Sequence, residues 1–311
     1  MSQAGLVVKK AGPLALVQDA GRFGVGHLGV TQGGAADWIA FYWANWLLSN
    51  PLNSATLEIV MGGGLTLVAH GDVRLALTGA DLAATVDGQP LAPNASFTLR
   101  SGQQLVFQQP RHGLRAYLAF PGGLNAPEVL GSRACTAREQ LGGLEEDGQP
   151  LKAGQYLTWQ GNDRSSRTLP EGAGPVMPTS GCRLPMVLGS QASSFSGRSL
   201  YQAFNTPWQV DNRADRMGVR LTGPVLSGTL SGIISEGIPL GAVQVPPDGQ
   251  PIVLMNDRQT IGGYPRLGAL TPSACAALAQ CLPGTEVWLT PVSVSHAQAD
   301  YRRQHAKWAT A

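Results

Sequence analysis

The sequence predicts a mainly β chain with a few helices, divided into two domains. Three observations carry this. Short runs of alternating apolar residues recur about every ten residues, the spacing of a barrel or sandwich. Glycine and proline number 40 and 22 in a chain that is still 43% apolar, which suits many short strands joined by tight turns. A length of 311 residues is long for one sandwich and comfortable for two domains.

The elements follow in order. Gly5 to Val17 reads as an opening strand pair broken at Gly12-Pro13. Gln18 to Asp37, QDAGRFGVGHLGVTQGGAAD, is too rich in glycine to pack as a regular element and reads as a loop that approaches another strand or a ligand. From Ala35 to Leu48, Trp38, Phe41, Tyr42, Trp46 and Leu47 recur at helical spacing, and Asn50-Pro51 ends the pattern. Most simply this is a core-packing helix. The runs ATLEIV, GLTLVA, VRLALTG, ATVDGQPL, SFTLRSGQQLVF and LRAYLAF are strands, with Asp87-Gly88 and Ser101-Gly102 as hairpin turns. Asn162 to Gly181 is polar, rich in Pro and Gly, and linker-like, which divides the chain into residues 1–172 and 173–311. In the second half LPMVLG, TPWQV, GVRLTG, GTLSGIIS, GAVQVPPDGQPIVLM and TEVWLTPVSV are strand candidates. Thr271 to Gln280 is a helix with Thr271 as N-cap and Pro272 in its first turn, and Asp300 to Trp308 is a terminal helix. A DGQP turn stands between strands in both halves, a faint sign of duplication.

Composition excludes several classes of function. The net charge is +2 and charged residues are only 14%, so bulk attraction to nucleic acid or membrane is not expected. The four cysteines form no CxxC pair and have no histidine at zinc spacing, so no metal site is expected and the thiols suit a reducing compartment. No stretch approaches the ~20 apolar residues of a spanning helix, and MSQAGLVVKKAG lacks the apolar core of a signal peptide, so a cytoplasmic location is expected.

No P-loop, GxSxG elbow or HExxH motif occurs. Three constellations carry possible chemistry. The first is the Gly-rich loop, with Asp19, Arg22, His27, Gln32 and Asp37 among its glycines. These residues either bind a small polar ligand, with His27 as acid or base, or hydrogen-bond loop backbone that has no ladder partner. The second is DNRADRMGVRL, where Asp215 and Arg216 form either a charged site or an internal pair that orders a turn. The third is Ser235 to Gly268. There Asp257, Arg258, Gln259 and Thr260 follow an apolar strand and precede Gly262-Gly263-Tyr264-Pro265. Arg258 offers two parallel hydrogen bonds to a carboxylate or phosphate, and the Gly pair offers backbone N–H groups to an anion. On residue type, His27, Asp215, Asp257 and Arg258 are the candidate catalytic groups. Arg22, Gln32, Asp37, Arg216, Gln259, Thr260, Gly262, Gly263 and Tyr264 are the candidate substrate contacts.

These segments together resemble one family. The residues that match are QDAGRFGVGHLGV (18–30), GGAAD (33–37), ATLEI (55–59), LTGAD (77–81), YLAFPGG (117–123), GSR (131–133), DRMGVRL (215–221) and SEGIPLGAVQVPPDGQPIVLMNDRQTIGGYP (235–265). They are similar to the biotin-dependent carboxyltransferase-type family, which includes allophanate hydrolase subunit 2, KipA-like proteins and the 5-oxoprolinase C-subunit. The resemblance implies two cyclophilin-like β-barrel domains. It implies one part of a hetero-oligomer that works with a KipI-like component and a LamB/YcsF-like component to open 5-oxo-L-proline to L-glutamate with ATP, held by the complex or by this chain. Two alternatives come with it: carboxyl transfer from biotin to a urea-type amide, and a non-catalytic regulatory part beside a KipI-like protein. No Met-Lys-Met biotin-attachment site occurs, so any biotin would come from another chain. The sequence departs from the family at Ala134-Cys135, where Ser-Thr is usual, at Ser190 in Gly189-Ser190-Gln191, and at Glu145-Glu146-Asp147.

Overall fold

A computed structural model describes residues 4–161 and 166–310; Asn162 to Ser165 of the linker-like stretch lie outside the described residues. The chain is mostly β, as the patterning predicts, and forms two compact units. The first comprises Met1–Phe23, Gly33–Met177 and the last two residues; the second comprises Gly24–Gln32 and Pro178–Ala309. Nine residues of the Gly-rich loop therefore belong to the second unit. Among the described residues no helix is long and apolar enough to cross a membrane.

The first unit holds two antiparallel sheets. One has six strands in the order Tyr156–Leu157, Gly5–Lys10, Thr66–His70, Gln104–Val106, Thr85–Val86, Gln89–Pro90. The other has five: Leu14–Gln18, Thr56–Val60, His112–Ala119, Val73–Asp81, Ala95–Leu99. The opening strands Gly5–Lys10 and Leu14–Gln18 thus lie in different sheets instead of pairing, because Gly12-Pro13 carries the chain from one to the other. Leu6, Val8 and Leu67 of one sheet and Leu57, Ile59, Leu75 and Leu118 of the other share one buried core. Helix Trp38–Leu47 packs on the five-stranded sheet. This is why strand Val73–Asp81 is buried on both faces and reads as a nearly continuous apolar run. Gly79 is required there: its φ is +89°, and a Cβ would lie 2.5 Å from the Arg115 carbonyl.

The helix starts later than its apolar pattern because Asp37 caps it, Oδ1 accepting from Ile39 N (3.1 Å) and Ala40 N (3.0 Å). The residues before it are clamped from below. Glu58 is fully buried in strand Thr56–Val60, and its Oε2 accepts from Ala36 N (2.9 Å) and from the Tyr117 hydroxyl (2.8 Å). That hydroxyl accepts in turn from Asp37 N at 2.7 Å, and Arg115 Nε lies 3.7 Å from Glu58 Oε1.

The second unit is built on a closed barrel. Its order is Cys182–Leu188, Arg266–Leu270, Ala242–Gln244, Ile252–Leu254, Gly218–Thr222, Trp208–Val210, Glu286–Pro291. The last strand closes on the first in parallel. Helix Pro272–Ala279 has the predicted Thr271 cap, with Oγ1 accepting from Ala274 N. The terminal helix runs Val294–Thr310, earlier than its pattern predicts, because Ser293 Oγ accepts from His296 N. Helix Gly197–Asn205 is hidden in a Ser/Gly-rich stretch that reads as loop; Ser196 caps it. The run GTLSGIIS is not a strand. It makes one bridge, at Gly228, and its apolar residues have no facing partner: Ile234 is 94% exposed. Both DGQP turns join paired strands, Thr85–Val86 to Gln89–Pro90 and Ala242–Gln244 to Ile252–Leu254.

The clamp under the first helix yields a test. Burial, then the Glu58 and Asp37 carboxylates, push the Tyr117 phenol well above its ordinary value. Folded chain keeps a proton that unfolded chain releases near pH 10, so this stability is intact below about pH 10 and is lost as pH rises toward the folded-state value. Tyr117→Phe strands the Asp37 N–H and should cost about 1–3 kcal/mol in urea unfolding at neutral pH. The gap between wild type and variant should narrow above about pH 10; a gap constant into stronger alkali contradicts the clamp.

Candidate substrate-binding site

The second unit assembles most of the polar residues that the sequence marks. Strand Ile252–Leu254 delivers Met255, Asn256, Asp257 and Arg258 at one end of the barrel. Asp257 is 6% exposed and Arg216 is 7% exposed. They meet in a bidentate pair, with Arg216 Nε donating to Oδ2 at 2.9 Å and Nη2 to Oδ1 at 2.8 Å. Backbone bonds reinforce the pair: Asp257 N donates to Arg216 O (2.8 Å) and Met255 N to Met217 O (2.9 Å). Asp215 orders the turn, its Oδ1 accepting from Met217 N and Gly218 N. The structure thus gives Asp215, Arg216 and Asp257 the part of a frame. Both oxygens of Asp257 accept from the Arg216 guanidinium.

Arg258 is tied down as well. Its Nε donates to Ile238 O (3.0 Å), its Nη1 to Met255 O (3.3 Å) and its Nη2 to Gln32 Oε1 (3.5 Å). Burial draws its pKa down, opposed by Cys275 and Asp257. Buried Cys275 is pushed up to about 12 by its own burial. Thr31 Oγ1 donates to Arg258 O at 2.6 Å. Thr31 and Gln32 therefore join the Asp257 turn. His27, from the same nine residues, is exposed on the short 3-10 helix Gly26–Leu28.

Beyond Arg258 the chain forms a ribbon. Ile261–Gly262 pairs with Glu236–Gly237, so Glu236 faces Gly262. Gln259 and Thr260 are half-buried; Thr260 O accepts from Ile238 N, and Tyr264 is partly exposed. In place of the anion-facing turn that the Gly-Gly pair suggests, Gly262 lies in a ladder and serves close packing. A Cβ there would meet Ile238 Cδ1 at 2.6 Å and Gln244 Nε2 at 3.0 Å. At Gly263 a Cβ would meet the Ile233 carbonyl at 3.0 Å. Across the ribbon, Arg266 Nη2 donates to Glu236 Oε1 at 2.5 Å, and Gln191 Nε2 donates to the same oxygen at 2.9 Å.

Gln191 and Arg266 meet on Glu236, and Gln244 lies in register with Arg266, a grouping that sequence reasoning does not single out. One signal was legible: Gln244 is a polar residue inside the apolar strand AVQV, and it is buried. The remaining candidates belong to the first unit and hold its own backbone. Arg22 is buried, its Nε donating to Val129 O (3.1 Å) and Nη2 to Ala134 O (2.7 Å). Asp19 accepts from Gly21 N, Ser132 Oγ and Arg133 N, which ties GSR to the Gly-rich loop. Asp37 is the helix cap described above. In the folded chain Arg22 and Asp37 hold loop backbone and the helix start. Among the described residues no group of three or more His, Cys, Asp or Glu is placed to hold a metal.

A family model described as "Carboxyltransferase domain, subdomain A and B" matches residues 28–291. The chain belongs to this carboxyltransferase-domain family. It is 36% identical to the 5-oxoprolinase C-subunit of Escherichia coli K12, over 94% of this chain and 93% of that protein. A Haemophilus influenzae protein of the same name is 35% identical over 94% of this chain and 92% of that protein. The crystal structure of the K. lactis urea amidolyase superposes with a TM-score of 0.92 and 26% identity over 98% of this chain, which spans only 20% of that longer protein.

The buried Arg216–Asp257 pair of the second unit yields a test. Arg216→Ala or Asp257→Ala removes one half of a buried bidentate pair and should cost about 3–5 kcal/mol in urea unfolding. Replacing both by methionine should recover most of that loss. A single-variant cost below about 1 kcal/mol would show that the pair is solvated and frames nothing.

Proposed function

We propose that the chain is the C-subunit of an ATP-dependent 5-oxoprolinase that opens 5-oxo-L-proline to L-glutamate, assembled with a KipI-like component and a LamB/YcsF-like component. The observation that carries this is correspondence of length. The relatives named as 5-oxoprolinase C-subunits match this chain over 93% and 92% of their own length, whereas it fills between 16% and 29% of the urea enzymes.

The site chemistry supports a share in substrate recognition. Opening a lactam in this way needs its carbonyl oxygen phosphorylated by ATP with release of ADP, water added to the carbon, the C–N bond broken with a proton passed to nitrogen, and a second water to release phosphate from the resulting acyl phosphate. The strongest charges of the site already neutralise one another, Asp257 with Arg216 and Glu236 with Arg266. Arg258, bonded to neutral carbonyl and amide oxygens, leaves a cation beside these pairs, which suits the carboxylate of 5-oxoproline. Phosphoryl transfer and most proton movement then belong to the assembled complex.

A second reading keeps its own support: the TM-score of 0.92 to a urea amidolyase favours carboxyl transfer from carboxybiotin carried on another chain. A regulatory, non-catalytic role beside a KipI-like protein is the third. One reconstitution separates them. Purified chain mixed with the KipI-like and LamB/YcsF-like components should release glutamate and ADP from 5-oxoproline and ATP, and omitting this chain should abolish it. Carboxyl transfer to urea from carboxybiotin, without glutamate release, would replace the first reading by the second. Full glutamate release without this chain would leave only the regulatory one.

A further inference from the structure

The chain's four cysteines form no disulfide, and three of them are shut away from solvent. Cys135, Cys275 and Cys281 are 1%, 1% and 4% exposed, whereas Cys182 is half-buried. Cys182 and Cys281 lie 99 residues apart in the sequence, yet in the second unit their thiols share a hydrogen bond. The backbone fixes both positions. Cys182 opens strand Cys182–Leu188 in register with Val287, and its N–H donates to Thr179 O at 3.2 Å. Just before it, Gly181 N donates to Glu286 O at 2.8 Å. Cys281 follows helix Pro272–Ala279, with its N–H on Leu278 O (3.1 Å) and its Sγ on Ala277 O (3.5 Å). The short turn from Cys281 to Glu286 is pinned in turn: Gly284 N donates to Val210 O (2.8 Å), and Val210 N donates to Thr285 O (3.0 Å). The two sulfurs therefore face each other where helix Pro272–Ala279 hands over to the strand that closes the barrel.

Thiols already in hydrogen-bond contact on a fixed backbone need only small side-chain rotations to reach bonding distance. The four cysteines also differ in reactivity, because the thiolate is the nucleophile. The hydrogen bond from Cys281 holds the Cys182 thiol below its ordinary value, opposed by burial, while burial pushes Cys275 up to about 12. We propose that Cys182 is a site of oxidative modification and Cys281 its resolving partner, the two closing a reversible disulfide in the presence of a low-molecular-weight disulfide, RSSR. The Cys182 thiolate attacks one sulfur of RSSR, forming Cys182–S–SR and releasing RS⁻. Cys281 then gives up its proton and attacks the Cys182 sulfur, releasing the second RS⁻. The two cysteine protons pass to the two RS⁻ groups, so RSSR is reduced to two RSH and the cysteine pair loses two electrons. Excess thiol reverses both steps. Closed, the bond ties the end of helix Pro272–Ala279 to the first strand of the barrel and shuts a long loop, which restricts the unfolded chain. This inference does not depend on the 5-oxoprolinase reading.

Incubating the native full chain with oxidised glutathione tests this. Wild type should lose two of its four titratable thiols. A digest should yield one linked peptide pair carrying Cys182 and Cys281, which dithiothreitol separates. The melting temperature should rise by about 5–15 °C on oxidation and fall back on reduction. Cys281→Ser should stop at a stable glutathione adduct on Cys182, and Cys182→Ser should leave Cys281 unmodified. Cys135→Ser and Cys275→Ser should each still form the bond. A native wild-type chain that keeps all four thiols overturns the inference. So does a linked peptide that carries Cys135 or Cys275, or that joins two chains. A glutathione adduct that persists on wild-type Cys182 overturns the resolving role of Cys281. Should a serine variant fail to fold, the wild-type thiol count and linked peptide decide.

Discussion

The second unit depends on one buried ion pair. Arg216 and Asp257 come from the two strand ends that must lie together for the segment beyond Asp257 to leave the barrel in a fixed direction. A bidentate guanidinium–carboxylate contact has only one good geometry, so it specifies direction as well as closeness. Its net stabilisation is modest, because desolvating both charges offsets much of their attraction. Its value is positional. With Asp257 fixed, Arg258 reaches the carbonyls of Ile238 and Met255, Thr31 reaches the Arg258 carbonyl, and the ribbon carrying Glu236 and Gly262 follows.

The first unit solves a similar problem with a different group. There a fully buried Glu58 receives a backbone N–H and the Tyr117 hydroxyl, and so fixes where the Gly-rich loop turns into helix Trp38–Leu47. In both units a scarce charge is placed under a glycine-rich turn. Such turns have few ladder bonds of their own, so side chains must satisfy and anchor their backbone. The low charge content and the high glycine content are thus two sides of one construction. The charges described in these regions hold backbone or one another.

Much of this was legible in the sequence. The strand runs, the DGQP turns, the Thr271 cap and the prominence of Asp257 to Pro265 all follow from local rules. What local rules could not reach were long-range pairings. Arg22 reads as a loop cation, but its partners are carbonyls more than a hundred residues away at Val129 and Ala134. Asp37 reads equally as ligand or cap, and only the helix start decides. Gln191 and Gln244 lie 53 residues apart in the sequence; their shared cluster exists only because barrel closure and the Glu236 ribbon bring them together. The strand reading of GTLSGIIS failed for the complementary reason: alternation predicts a strand only where another strand is available to pair.

The account's central claim is that the Arg216–Asp257 pair fixes the direction in which the segment beyond Asp257 leaves the barrel. Crystal structures of the wild-type chain and of the Arg216→Met/Asp257→Met double variant test it most directly. The account predicts an intact barrel in the variant, with Arg258 off the Ile238 and Met255 carbonyls and the Ile261–Gly262 ribbon displaced. A ribbon in its wild-type place would contradict it.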